Sequence, residues 1–215
     1  MSEFDLEAAL DRAERSPGQT PARLLREAET LFARRGFDGV RTRDVAGAAG
    51  VNVSTLHFHW RNKGTLYEAV CRAHARLLRS ALEHAVDVIS PGEPPDRQQI
   101  EHWIDQVLSL LIENPAIAPM ALQSVSDQTP PELPALFHHD VALFGSIERE
   151  VTDRMKSTDG DPMFSILSVF YFVVVAFCDS SLQRTVLGGS LLADAALQDR
   201  FKKFSSRLLL SLLDG

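Results

Sequence analysis

The sequence predicts an all-α protein in which a three-helix helix-turn-helix domain at the amino end is followed by a larger helical body, about nine helices in all. Three observations carry this. Apolar residues recur at helical spacing along most of the 215 residues, and no stretch alternates convincingly as a strand. The breaks fall at "SPGEPPD", "ENPAIAP", "DQTPPELP", "STDGDP" and "LGGS", where proline and glycine punctuate the chain. Two short helical patterns joined by a glycine-containing turn follow one longer pattern, the outline of a helix-turn-helix.

The elements follow in order. Residues 1–19 read as an acidic arm, partly disordered or loosely helical. Thr20 is placed to cap a helix with Pro21 at its first position, and Leu24, Leu25, Ala28, Leu31 and Phe32 keep its spacing up to Gly36. Thr42 to Ala49 forms a short second helix that Gly50 ends. Asn52 caps a third, Val53 to Trp60, and Asn62 caps a fourth, Lys63 to about Ile89. Further helices are expected near Asp96 to Glu113, Ile117 to Ser126, Pro134 to Lys156, Pro162 to Val186 and Ser190 to Leu213. Domains are expected at residues 20–66 and 67–215.

Composition narrows the function classes. The apolar share of 45% is that of a globular chain, and the run from Val169 to Cys178, bounded by Asp161, Asp179 and Arg184, is too short for a membrane span. It reads as a helix buried on all sides. Cys71 and Cys178 lie far apart in apolar or helical surroundings and suggest free thiols. Met1 to Arg15 is acidic and broken by charges, unlike a leader, so the chain reads as cytoplasmic. The net charge of −7 hides an asymmetry, because residues 20–63 hold eight basic side chains against four acidic ones. A positive module sits in an acidic chain.

Within that module the stretch "VNVSTLHFHWRNK", residues 51–63, is decisive. At 100° per residue Leu56 and Trp60 share one side of a helix, while Ser54, Phe58 and Arg61 take the other, with Thr55 flanking them. An aromatic ring offered to solvent beside hydroxyls and a cation suits the major groove, where rings meet thymine methyls and hydroxyls meet base edges.

From Thr20 to about Val70 the chain resembles the DNA-binding domain of the TetR family of bacterial transcriptional repressors. The resemblance lies in "GFDGVRTRDVAGAAGVNVSTLHFHWRNKGTLYEAV": a Gly-aromatic turn, an Arg-Asp-hydrophobic-Ala helix, an Ala-Gly-Val turn, a Thr-Leu-aromatic recognition helix and an Asn-Lys start to the next helix. His57 stands where the family usually has tyrosine, and Trp60 where phenylalanine is common. The resemblance implies that Arg41, Thr42 and Arg43 meet phosphates or a base edge, and that Val53, Ser54, Thr55 and Phe58 read bases. It implies that His57, His59 and Lys63 bind the backbone, Lys63 helped by a helix amino terminus.

One such domain reads few base pairs, so a dimer is expected, its recognition helices about 34 Å apart. Phe170, Val174 and Phe177, with Leu197, Phe201, Phe204, Leu208 and Leu212, are candidates for the interface, a four-helix bundle across a twofold axis. The resemblance further implies an effector pocket in the body, for which Trp103, Val107, Met120, Phe137, Val141 and Phe144 are candidate lining and Gln123, His138 and Gln183 candidate anchors. The expected partners are double-stranded operator DNA, an unidentified small molecule and a second copy of the chain, with no cofactor and no membrane. The rival readings are a helical interaction module that does not bind DNA and a small enzyme using His138, His139 and Asp140. Adjacent histidines on a helix diverge by about 100° and cannot easily share a metal ion.

Overall fold

The computed structural model describes residues 5–87, 95–125, 149, 162–178 and 180–213. Its helices are α1 (Leu6–Arg15), α2 (Thr20–Arg35), α3 (Thr42–Ala48), α4 (Val53–Trp60), α5 (Lys63–Asp87), α6 (Arg97–Glu113), α7 (Ile117–Val125), α8 (Pro162–Ala176), α9 (Ser180–Leu187) and α10 (Ala195–Leu213). Among the described residues there is no strand, and no helix long and apolar enough to cross a membrane. The helix expected at Pro134 to Lys156 lies almost wholly outside the described residues.

The chain divides into two compact units. The first holds the described residues up to Arg76 and α7 from Pro119 onward. Its core is built on Leu24, Ala28, Phe32, Val45, Leu56, Trp60, Leu66 and Tyr67, all buried. Phe32, Phe37 and Tyr67 form an aromatic cluster, with Tyr67 edge-on to both phenylalanines at 5.0 and 5.2 Å. The buried His74 ties α5 to α2 through Nε2 and Glu29 Oε1, 2.7 Å apart.

Local chemistry sets the helix ends. Thr20 does not cap α2: Gln19 is the extended residue before it, Thr20 is the first helical residue, and Pro21 follows in the first turn where its missing N–H costs nothing. Gly36 ends α2 at φ 69°, and Gly50 turns the chain between α3 and α4 at φ 67°, a left-handed conformation that favours glycine. Asn52 accepts the Thr55 N–H at 2.8 Å, and Asn62 the Thr65 N–H at 2.8 Å, so both expected caps form.

Residues 5–19 are more ordered than expected. Asp5 caps α1 by accepting the Ala8 N–H at 3.0 Å, and Ala9, Leu10 and Ala13 are buried where α1 packs on α2. Glu7, Asp11 and Glu14, one turn apart, face α5. Glu7 bonds Arg72 and Arg76, while Asp11 and Glu14 lie 2.9 and 2.7 Å from Arg76. Partial burial pushes the Glu7 carboxyl up, but the two guanidiniums outweigh it and hold it below its ordinary value.

The second unit holds Leu77 to Ala118 and the described residues from 149 on. Here α10 packs on α6 and α8, and α6 on α8. The Trp103 indole donates to Ala81 O at 2.8 Å, deep among Ile104, Val107 and Leu111. The helix expected from Pro162 to Val186 breaks at Phe177 and Cys178, where two consecutive N–H groups bond carbonyls three residues back. Gln183, proposed as an effector anchor, stitches this break: its Oε1 accepts the Leu191 N–H at 2.8 Å and its Nε2 donates to Ala176 O.

The interface candidates separate by burial. Phe170, Val174, Phe177 and Leu197 lie in the chain's own core, which removes them as contacts for a second copy. The apolar surface runs instead along Phe164, Tyr171, Phe172 and Val175 of α8 and Phe204 and Leu212 of α10, with Phe201 and Leu208 half-buried beside them. The Phe172 ring stacks on Phe201 at 5.5 Å and lies 5.9 Å from Phe204, so the two stripes make one patch. The phase of α8 was unreadable because that segment is apolar all round. On α10 the inward positions are Leu197, Leu209 and Leu213 with Ser205 and Ser206, the serines small enough for close helix packing.

Candidate nucleic-acid interface

The recognition helix α4 is held from one side only. Leu56 and Trp60 are fully buried, and the Trp60 indole donates to Pro21 O at 3.3 Å, fastening α4 to the start of α2. On the opposite side Ser54, His57 and Phe58 are exposed, Phe58 at 81% of its full surface.

Around it the expected residues hold different stations. Arg41 and Arg43 are exposed at the start of α3, where the Arg41 N–H donates to Asp44 Oδ2 at 3.1 Å and Arg43 keeps a loose 3.8 Å pair with Asp44. Thr42, Val53 and Thr55 are half-buried, and the Thr55 hydroxyl donates to Asn52 Oδ1 at 2.9 Å. His59 is half-buried, edge-on to Phe58 at 5.1 Å. Loss of hydration and the nearby Arg12 guanidinium lower its pKa, favouring a neutral imidazole. Lys63 has a structural duty: its ammonium donates to Phe37 O at 3.1 Å and lies 3.9 Å above the centre of the Phe37 ring, fixing the turn after α2. An ammonium carries three donors, so this bond leaves capacity for a phosphate.

Two features of the site escaped the sequence reading. Arg61 leaves α4 at φ 57° and ψ −60°, and the Asn62 N–H bonds Trp60 O at 2.6 Å, a γ-turn of the rare, strained hand. The His57 ring closes it, Nδ1 lying 2.5 Å from Arg61 O, so that Nδ1 carries a proton and donates to that carbonyl. Arg61→Gly should therefore raise stability by about 0.5–1 kcal/mol in urea denaturation, since relief of left-handed strain exceeds the added chain entropy. The second feature is the regular helix α1, in a segment expected to be partly disordered or loosely helical, whose Arg12 contributes to lowering the His59 pKa. The signal was present in Leu6, Ala9, Leu10 and Ala13 at helical spacing behind Asp5.

Of the effector candidates, Trp103, Val107 and Met120 are buried core, and Gln123 donates to Ala33 O at 3.0 Å. Phe137, His138, Val141 and Phe144 lie outside the described residues, as do His139 and Asp140. Among the described residues no three His, Cys, Asp or Glu side chains are grouped to hold a metal ion.

The segment from α2 into α5 also carries a likeness to a known family. Residues 24–70 match the family model described as bacterial regulatory proteins, tetR family. Over those residues the chain is similar to the TetR family. It is 27% identical over 203 residues to the HTH-type transcriptional repressor SCO4008 of Streptomyces coelicolor, covering 92% of this chain and 98% of the relative. Its fold is similar to that of a TetR family transcription regulator from Marinobacter aquaeolei, with a TM-score of 0.62 at 15% identity over 96% of each chain. It is also similar to PfmR, a TetR-family regulator from Thermus thermophilus, with a TM-score of 0.58 at 19% identity over 90% of this chain and 98% of that one. The exposed face of α4 lies within the residues that match the family model.

Proposed function

We propose that the chain is a homodimeric repressor that holds a palindromic operator in double-stranded DNA and leaves it when a small-molecule effector binds. The observation that carries this reading is Phe58, bare on a helix otherwise anchored by Trp60 and flanked by exposed Ser54 and His57. Residues 20–66 read the duplex, Phe58 and Ser54 against base edges and Arg41 and Arg43 against phosphates. Residues 67–215 carry the effector site and the dimer interface, for which the patch on α8 and α10 is the surface. Repression is favoured by the relative SCO4008, which is a transcriptional repressor. Release follows from geometry: the effector favours a conformer in which two recognition helices no longer fit successive major grooves, and loss of simultaneous engagement removes the avidity.

The test is selection of duplexes from a random pool by the purified protein, followed by titration of the winner at several salt concentrations. A palindrome bound with a steep salt dependence is the expected result, since each phosphate neutralised releases counterions. Recovery of no preferred sequence, with salt-independent retention of a protein partner instead, would favour the interaction-module reading.

A further inference from the structure

Ser54, His57 and Phe58 follow one another at helical spacing on the exposed face of α4, opposite the buried Leu56 and Trp60. His57 is fixed in orientation by a reciprocal pair of bonds across one turn. Its carbonyl accepts the Arg61 N–H at 3.0 Å, and its ring Nδ1 lies 2.5 Å from Arg61 O. A carbonyl oxygen only accepts, so Nδ1 carries a hydrogen. The other neutral tautomer would set a lone pair against that oxygen.

That bond decides what the rest of the ring offers. The two nitrogens lie on opposite edges of an imidazole, so Nε2 is directed away from Arg61 O, and it has no partner among the described residues. With the hydrogen on Nδ1, Nε2 of the neutral ring is an acceptor. A phosphate oxygen is an acceptor too, so a backbone contact would demand a second proton on the ring. In the major groove, by contrast, adenine N6 and cytosine N4 present amino hydrogens that need an acceptor. Phe58 has no hydrogen-bonding atom in its ring, and the exposed Arg41, Arg43 and Arg61 only donate. An acceptor of fixed direction at His57 supplies what these neighbours lack.

We infer that His57 is a base-reading residue, its Nε2 accepting a hydrogen bond from the amino group of an adenine or cytosine beside the bases that Ser54 and Phe58 meet, and not the backbone contact that the family resemblance implies. This rests on the operator reading above. Because the contact uses the neutral ring, duplex binding opposes protonation of Nε2. Its contribution to affinity is present where the ring is neutral and is lost as pH falls and Nε2 gains a proton. A phosphate contact runs the other way and strengthens as pH falls.

The experiment selects duplexes from a random pool with wild type, His57→Ala and His57→Asn, then titrates all three on the wild-type winner and on its single-base changes. Asparagine carries an amide N–H near the place of Nδ1 and can keep the bond to Arg61 O, but has no atom at the place of Nε2. Wild type should select adenine or cytosine on one strand at one position of each half-site. There both variants should lose about three- to tenfold of the preference over guanine and thymine, with other positions unchanged. The ratio of wild-type to His57→Ala affinity on the winner should fall as pH is lowered from about 8 to about 6. The ratio cancels groups that both proteins share: His59 and Arg61 on this stretch, Arg41, Arg43 and Asp44 at the start of α3, Arg23 of α2 and Lys63 beyond the turn. A uniform loss on every duplex, with a ratio that rises as pH falls, makes His57 a phosphate contact and overturns base reading. A uniform loss that His57→Asn restores, with a flat ratio, leaves His57 only the clasp of the turn and overturns it too. Wild type that enriches no sequence overturns the operator reading together with this one.

Discussion

Trp60→Ala is expected to lower the unfolding free energy by about 3–5 kcal/mol, whereas Phe58→Ala, two residues away on the same helix, changes it by less than about 0.5 kcal/mol. The contrast follows from which way each ring points. Trp60 is fully buried, and its loss opens a cavity between α4 and α2 while removing the donor to the Pro21 carbonyl. An eight-residue helix has little stability of its own, so α4 depends on that anchor and on Leu56. Phe58, 81% exposed, contributes almost nothing to the fold. Its removal should instead weaken operator binding by about tenfold or more, through lost apolar contact in the major groove. Urea denaturation of both variants, followed by duplex titration at one salt concentration, reads the two effects separately. If Phe58→Ala lost stability on the scale of Trp60→Ala, the ring would be packing rather than presented, and the recognition face would have to be redrawn.

How far the sequence reaches depends on whether a signal is local. Asn52 and Asn62 cap helices through their own side chains three residues on, so the starts of α4 and α5 could be read directly. Leu56 and Trp60 could be assigned inward because the rest of α4 is polar or too exposed in phase to compete. Thr20 misled because Pro21 is compatible with either of the first two helical positions. The segment around α8 failed differently: with apolar residues on every side, nothing distinguishes Phe170, which is buried, from Phe172, which is not. Its break at Phe177 and Cys178 carries no glycine or proline. Lys63 shows the limit at the site itself, since its bond to Phe37 O spans 26 residues and is a product of tertiary packing. The carboxylates of α1 belong to the same class, because Glu7, Asp11 and Glu14 find their arginine on α5, more than 60 residues on.

If the proposed dimer forms through α8 and α10, Val175→Glu should convert it to a monomer at micromolar concentration and weaken operator binding by about 100-fold or more, the scale on which linked sites lose avidity. Val175 is 51% exposed and Phe164 70%, and with Tyr171 and Phe172 they follow one stripe of α8 at helical spacing. Phe204 and Leu212 extend that surface on α10, brought alongside by the stacking of Phe172 on Phe201. A continuous apolar patch of this kind is costly to leave in water and suits a self-complementary contact. Across a twofold axis each substitution enters the interface twice, so one glutamate per chain brings two buried charges that no partner neutralises. Because the position is exposed within one chain, its melting temperature as a dilute monomer should be little changed. Sedimentation velocity and duplex titration of the same preparations separate the outcomes. A variant that stays dimeric and binds normally would move the interface off α8 and α10. A variant that becomes monomeric yet keeps full affinity would instead remove avidity from the mechanism and leave each domain to bind its half-site alone.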